Sequence, residues 1–143
     1  MGLFETMMDH AREYAQAVGT PENDGHASQR LSPCELALRS ELENIAPNSN
    51  SPVRLDLLFS GDVQGVGFRW TNQSLAQERH LTGWVKNLPD GTVRMEIQGP
   101  ARALLAHLER IHAYYARFSN RIWLEQGQRI PALPDQTDFD VRL

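Results

Sequence analysis

The sequence predicts an α+β fold. A β-α-β-β-α-β order gives an antiparallel sheet with two helices on one face, the ferredoxin-like architecture, behind a two-helix N-terminal extension. Three observations carry this expectation. Val53, Leu55, Leu57 and Phe59 alternate with Arg54, Asp56, Leu58 and Ser60, the two-residue period of a half-buried strand, and Val93, Met95 and Ile97 repeat it. Leu104, Leu105, Leu108, Ile111 and Tyr115 recur at helical spacing instead. The polar stretch Asn48-Ser49-Asn50-Ser51-Pro52 reads as a linker between an acidic first part and a nearly neutral second part. The expected organisation is therefore an extension over residues 1–52 and a domain over residues 53–143.

In the extension, Phe4, Met7, Met8, Ala11, Tyr14, Ala15 and Val18 mark one face of a helix that Gly19 stops. Residues 20–30, with Pro21, Asn23, Asp24 and Gly25, read as a loop. Ser32-Pro33-Cys34-Glu35 then has the form of a capping box with Pro at the first helical position, and Leu38, Leu42 and Ile45 continue its apolar stripe to Pro47. Two helices this short bury little by themselves. They are expected to pack on the domain or on a second copy of the chain.

In the domain, the first strand runs into a Gly-rich loop at residues 61–67. A helix follows from Phe68 to about Arg79, with Phe68, Leu75 and Ala76 inward. Residues 83–87 form a second strand. Leu88-Pro89-Asp90-Gly91 is a hairpin turn, because Asp-Gly supplies the positive φ such turns need. Residues 92–98 form the third strand, and Gly99-Pro100 opens the second helix. Residues 122–124 and 139–143 are the remaining strand segments.

Composition narrows the function classes. Lys and Arg number 14 against 18 Asp and Glu, a net charge of −4, which argues against a uniformly basic nucleic-acid binder. The third strand also lacks the aromatic residues of an RNA-stacking sheet. One cysteine, Cys34, excludes an internal disulfide framework or a Cys-rich zinc module. His107 and His112 stand five apart, not the three or four that would put two metal ligands on one helix face. Apolar runs fall far short of a bilayer span and no basic-then-apolar leader opens the chain. The expectation is a soluble, cytoplasmic protein.

The chemistry lies in Gly61-Asp62-Val63-Gln64-Gly65-Val66-Gly67-Phe68-Arg69. Glycines between a strand and a helix let several N–H groups converge, and the helix start adds free N–H groups and a positive dipole end. An anion suits this cradle, and phosphate suits it best. Arg69, in the first helical turn, can fork onto two phosphate oxygens. The loop is neither a Walker A motif nor a dinucleotide fingerprint. About eleven helical residues carry the chain roughly 16 Å away, and the strand ending at Asn87 recovers roughly 13 Å. A right-handed crossover makes the two strands parallel, so Asn87 finishes beside Arg69 and the loop. Its carboxamide has the donors and acceptor to hold a water beside a bound phosphate.

Residues 61–69, followed by Leu81-Thr82-Gly83-Trp84-Val85-Lys86-Asn87 and Asp90-Gly91, closely resemble the acylphosphatase signature. The resemblance covers roughly residues 53–143. It implies the ferredoxin-like fold and the metal-free hydrolysis of acyl phosphates to carboxylate and inorganic phosphate. It implies no cofactor and a small-molecule acyl phosphate as the partner, while the charge balance and the short apolar runs give the expectation of neither nucleic acid nor membrane. The family's two catalytic residues fall on Arg69 and Asn87. Its phosphate cradle falls on Gln64, Gly65, Val66, Gly67, Phe68 and Arg69.

Three positions depart from the usual pattern. Asp62 puts a carboxylate next to the cradle, which weakens anion binding unless it points away. His80 stands where Gly commonly closes the helix and is expected in the left-handed region. Asn72 replaces a common Thr and is expected to bond the loop or Asn87. These departures motivate an alternative: a non-catalytic module that binds phosphate or an acyl phosphate, with the extension docking a partner.

Overall fold

The computed structural model describes residues 30–143. The helix expected over residues 4–18 and nearly all of the loop after it lie outside the described residues. The described elements are α1 (Pro33–Ile45), β1 (Val53–Gly61), α2 (Phe68–Glu78), β2 (Thr82–Asn87), β3 (Val93–Gly99), α3 (Ala101–Ala116), β4 (Ile122–Ile130) and β5 (Phe139–Arg142). The strands make one sheet in the order β4-β1-β3-β2-β5.

The alternation in β1 places Leu55, Leu57 and Phe59 under the helices, where they meet Met95 and Ile97 of β3 and the Leu104, Leu108 and Ile111 stripe of α3 in one buried cluster. Each such side chain contributes about 1.5–3 kcal/mol on leaving water. β1 is antiparallel to both β3 and β4, and β3 is antiparallel to β2. β1 and β2 therefore point the same way, as the crossover requires.

β5 departs from the antiparallel expectation. It lies parallel to β2, from Gly83 paired with Phe139 to Lys86 paired with Arg142. Chain direction explains this. β4 ends at Ile130 opposite Arg54, at the start of β1. Residues 131–138 then cross the open face of the sheet at that same end. Gln98 pins the crossing by donating to the Leu133 carbonyl at 2.9 Å and accepting from its N–H at 2.8 Å. A strand that starts there can only run back toward the far end, alongside β2. β4 is also longer than the expected segment 122–124. Beyond Leu124 it is an edge strand whose Gln126, Gly127, Gln128 and Arg129 carry no apolar alternation.

α1 begins as expected, with Ser32 Oγ accepting from the Glu35 N–H at 3.0 Å. The reciprocal half of the capping box is not made. The Glu35 carboxylate turns instead to Arg39 at 2.8 Å and to His112 of α3 at 2.8 Å. α1 runs antiparallel to α3, with Arg39 also 3.6 Å from Glu109 and Arg102 donating to the Ala46 carbonyl at 3.2 Å. Leu38, Leu42 and Ala46 enter the same core as Leu57 and Leu124. The helix before the linker and the sheet after it thus share one core.

Candidate active site

The register brings the ends of β1 and β2 together. Phe59 and Asn87 both pair with Val93, one from each side of β3. With strands about 4.8 Å apart, the end of β2 lies about 10 Å from the end of β1. The loop 62–67 and the start of α2 sit at this same end.

The loop is anchored from below and left open above. Val63 is buried, and Phe59, Phe68 and Tyr115 form an aromatic floor with ring centroids 5.3 and 5.6 Å apart. The Tyr115 hydroxyl donates to the Val66 carbonyl at 3.1 Å, turning that oxygen inward. Gln64 Nε2 donates to the carbonyls of Leu88 at 2.8 Å and Thr92 at 2.9 Å, tying the loop to the β2–β3 hairpin. Gly67 caps α2 in the left-handed region, at φ 74°, and offers no side chain to the helix start. The N–H groups of Gln64, Gly65, Val66, Gly67, Phe68 and Arg69 meet no acceptor among the described residues. No acidic residue occupies the first turn of α2. Together these give a concentrated set of donors at the positive end of a helix dipole.

Arg69 is the second residue of α2. Its Nη1 donates to the Arg142 carbonyl at 2.8 Å, which leaves its other N–H donors unspent. Arg142 pairs with Lys86, the neighbour of Asn87, so Arg69 and Asn87 meet the same end of the β2–β5 ladder. Asn87 is half-buried, and its Oδ1 is buried without a hydrogen-bond partner among the described residues. An unpartnered buried acceptor is costly unless something outside the protein donates to it.

The departures resolve as follows. The Asp62 carboxylate accepts from the Arg121 N–H at 2.8 Å, while the Asp62 N–H donates to the Arg121 carbonyl at 2.7 Å, so the charge is committed to the β4 side. His80 adopts φ 57°. Leu81 and His80 donate to the carbonyls of Ala76 and Gln77, the two bonds of a Schellman helix end. Asn72 bonds neither the loop's N–H groups nor Asn87. It is fully buried, donating to the Phe68 carbonyl at 2.8 Å and meeting His107 Nε2 at 2.8 Å. The reason is helical spacing, because Asn72 lies one turn past Phe68 on the face toward α3.

Three contributors were not legible as such. Tyr115 reads as one more stripe residue, although a buried tyrosine hydroxyl usually needs a partner. Gln64 reads as backbone only. Arg142 gives no local signal, because its role depends on the parallel placement of β5.

The acylphosphatase family model matches residues 55–141. An acylphosphatase from Geobacillus thermodenitrificans (strain NG80-2) is 43% identical over 90 residues, covering 62% of this chain and 92% of its own length. One from Nocardia farcinica (strain IFM 10152) is 38% identical over 95 residues, covering 66% and 93%. The crystal structure of an acylphosphatase from Bacillus subtilis aligns with a TM-score of 0.52 at 29% identity, over 64% of this chain and 99% of that one. The family match starts after α1, which lies outside it.

Proposed function

The chain belongs to the acylphosphatase family, and we propose that it hydrolyses the carboxyl–phosphate anhydride of small acyl phosphates without a metal, using Arg69, Asn87 and the amides of residues 64–69. The observation that carries this reading is the pairing of open donors with a buried, unpartnered acceptor. Six main-chain N–H groups and most of a guanidinium meet no acceptor among the described residues at one end of the sheet, and Asn87, at that same end, has a buried Oδ1 with no hydrogen-bond partner among them.

The phosphoryl oxygens sit on the amides and on Arg69, which neutralise the charge that spreads over them in the transition state. Asn87 Oδ1 accepts from a water and aims its oxygen at phosphorus, in line with the leaving carboxylate. The new P–O bond forms from water and the P–O bond to the acyl group breaks. The electron pair leaves with the carboxylate. The water's proton passes to a phosphate oxygen, giving inorganic phosphate. A carboxylate is a good leaving group, so the chemistry asks for little acid catalysis.

The binding-only alternative drew on Asp62 and His80. Asp62 is held by Arg121 and His80 completes a normal helix end, so neither side chain competes with an anion in the cradle. The test is hydrolysis of acetyl phosphate and benzoyl phosphate by the full chain in EDTA. Activity that survives EDTA and disappears in Arg69→Ala and in Asn87→Ala supports the reading. Phosphate binding without turnover establishes the alternative.

A further inference from the structure

We propose that Trp84 and Arg142 form a clasp that positions Arg69 for the phosphoryl group. The proposal rests on the function proposed above.

Arg69 is oriented by a carbonyl on β5, so its geometry is only as firm as the end of that strand. β5 starts firmly. Phe139 is buried, and Gln73 Nε2 donates to its carbonyl at 2.9 Å. After Phe139 only Val141 still packs against the core, and it is only partly buried; Asp140 and Arg142 are exposed and Leu143 is 97% exposed. Beyond Val141 the ladder to β2 and the Arg69 hydrogen bond remain, and Arg142 itself adds one side-chain contact. The Arg142 guanidinium lies 4.4 Å from the centroid of the Trp84 ring.

Charge explains why the ring is needed. Arg94 of β3 and Arg142 of β5 both pair with Lys86, one from each side, so three cations stand in a row across the sheet. Like charges directly opposite one another destabilise a ladder. Arg94 is compensated by Asp56, through bonds of 3.0 and 2.9 Å, and by Glu96 at 3.5 Å. Arg142 has no acidic partner among the described residues; Arg94 also stands over Trp84, at 5.5 Å, but the Arg142 guanidinium lies closer to that ring, at 4.4 Å. The ring, two residues before Lys86 on the same face, gives that charge a favourable seat. With Arg142 held down, its carbonyl stays turned toward Arg69. Trp84 and Arg142 are thus positioning residues that act through Arg69.

The experiment uses the full chain with Arg142→Ala and Trp84→Leu, the conservative variants Arg142→Lys and Trp84→Phe, and Arg129→Ala as a charge control. Arg129 is half-exposed and pairs with Glu41, far from the cradle. Inorganic phosphate affinity is measured by calorimetry, and KM and kcat with benzoyl phosphate. Arg142→Ala and Trp84→Leu should each raise the phosphate Kd and KM about two- to fivefold, the range of one exposed cation–π contact. Arg142→Lys keeps a cation over the ring and Trp84→Phe keeps a ring under the cation. Both should recover most of the loss, while Arg129→Ala stays at wild-type values. In an Arg69→Ala background, removing Arg142 should cost nothing further.

Wild-type Kd and KM in Arg142→Ala overturn the clasp, as does an added loss in the Arg69→Ala background or an equal loss in Arg129→Ala. Should Trp84→Leu fail to fold, Arg142→Ala decides alone, because that side chain lies outside the core. Failure of the underlying reading looks different: Arg69→Ala would then bind phosphate and turn over like wild type.

Discussion

The Glu35 carboxylate, wholly buried on α1, lies 2.8 Å from Nε2 of His112 on α3, 77 residues further along the chain. Burial alone would push this carboxyl up. The hydrogen bond and charge of His112, and then Arg39, outweigh burial and hold it below its ordinary value of 4.5. The folded state therefore binds this proton more weakly than the unfolded chain does. The stabilisation is fully present above pH 4.5 and is lost as the pH falls through the lower, folded value. Glu35→Ala should cost about 3 kcal/mol at neutral pH, since it leaves Arg39 and His112 without their buried partner. Urea unfolding from about pH 6 to pH 3 checks both points, and the variant should show a shallower acid slope.

His107 provides a second, separate acid sensitivity. Burial first, and the charge of Arg79 second, lower its imidazole from 6.5 to about 3. Asn72 spends its amide on the Phe68 carbonyl, so its Oδ1 must accept, and His107 donates from Nε2 as the neutral ring. Stability from keeping this ring neutral is complete above pH 6.5 and is lost progressively as the pH drops toward 3. In an NMR titration the His107 resonances should stay flat from about pH 8 to pH 5, where an exposed histidine would titrate.

Much of the fold was legible because one face of the sheet is covered. Leu55, Leu57 and Phe59 alternate for that reason, and Leu104, Leu108 and Ile111 keep helical period against them. The hairpin was legible through Asp90-Gly91, with Gly91 at φ 93°. The tight loop between β1 and α2 was legible because glycine spacing is a backbone requirement that sequence records directly, with Gly65 at φ 78° and Gly67 at φ 74°. Pairing direction is another matter. Periodicity is the same in parallel and antiparallel strands, so β5 gave no sign of lying along β2 or of bringing Arg142 to Arg69. Glu35 satisfied a local capping pattern, while its actual partner sits on a helix that only tertiary packing brings near.

Placing α1 in the core changes what truncation should do. No cradle residue lies before residue 52, so a chain starting at residue 51 should keep its turnover per folded molecule. It would lose the burial of Leu38 and Leu42 and leave Leu57 and Leu124 less covered. That removes about 4 kcal/mol, and the thermal midpoint should fall by more than about 10 °C. Calorimetric melting beside an activity assay at low temperature separates the two effects.

Gly61, which ends β1, and Gly67, which caps α2, should respond differently to alanine. A Cβ on Gly61, at φ 94°, would run into the Arg121 carbonyl oxygen. A Cβ on Gly67, at φ 74°, meets nothing within 4 Å. Gly61→Ala should cost about 3 kcal/mol from overpacking and left-handed strain together, and Gly67→Ala about 1 kcal/mol from strain alone. Denaturant unfolding of the two variants tests the ranking.

The proposed mechanism divides the labour, with Arg69 and the amides to grip the phosphoryl group and Asn87 to aim the water. The most direct measurement is Asn87→Ala assayed for both benzoyl phosphate turnover and inorganic phosphate affinity. The expected result is a kcat lowered by about two orders of magnitude or more, with the phosphate Kd within about twofold of wild type. Undiminished turnover, or a phosphate Kd that worsens in step with kcat, would contradict it.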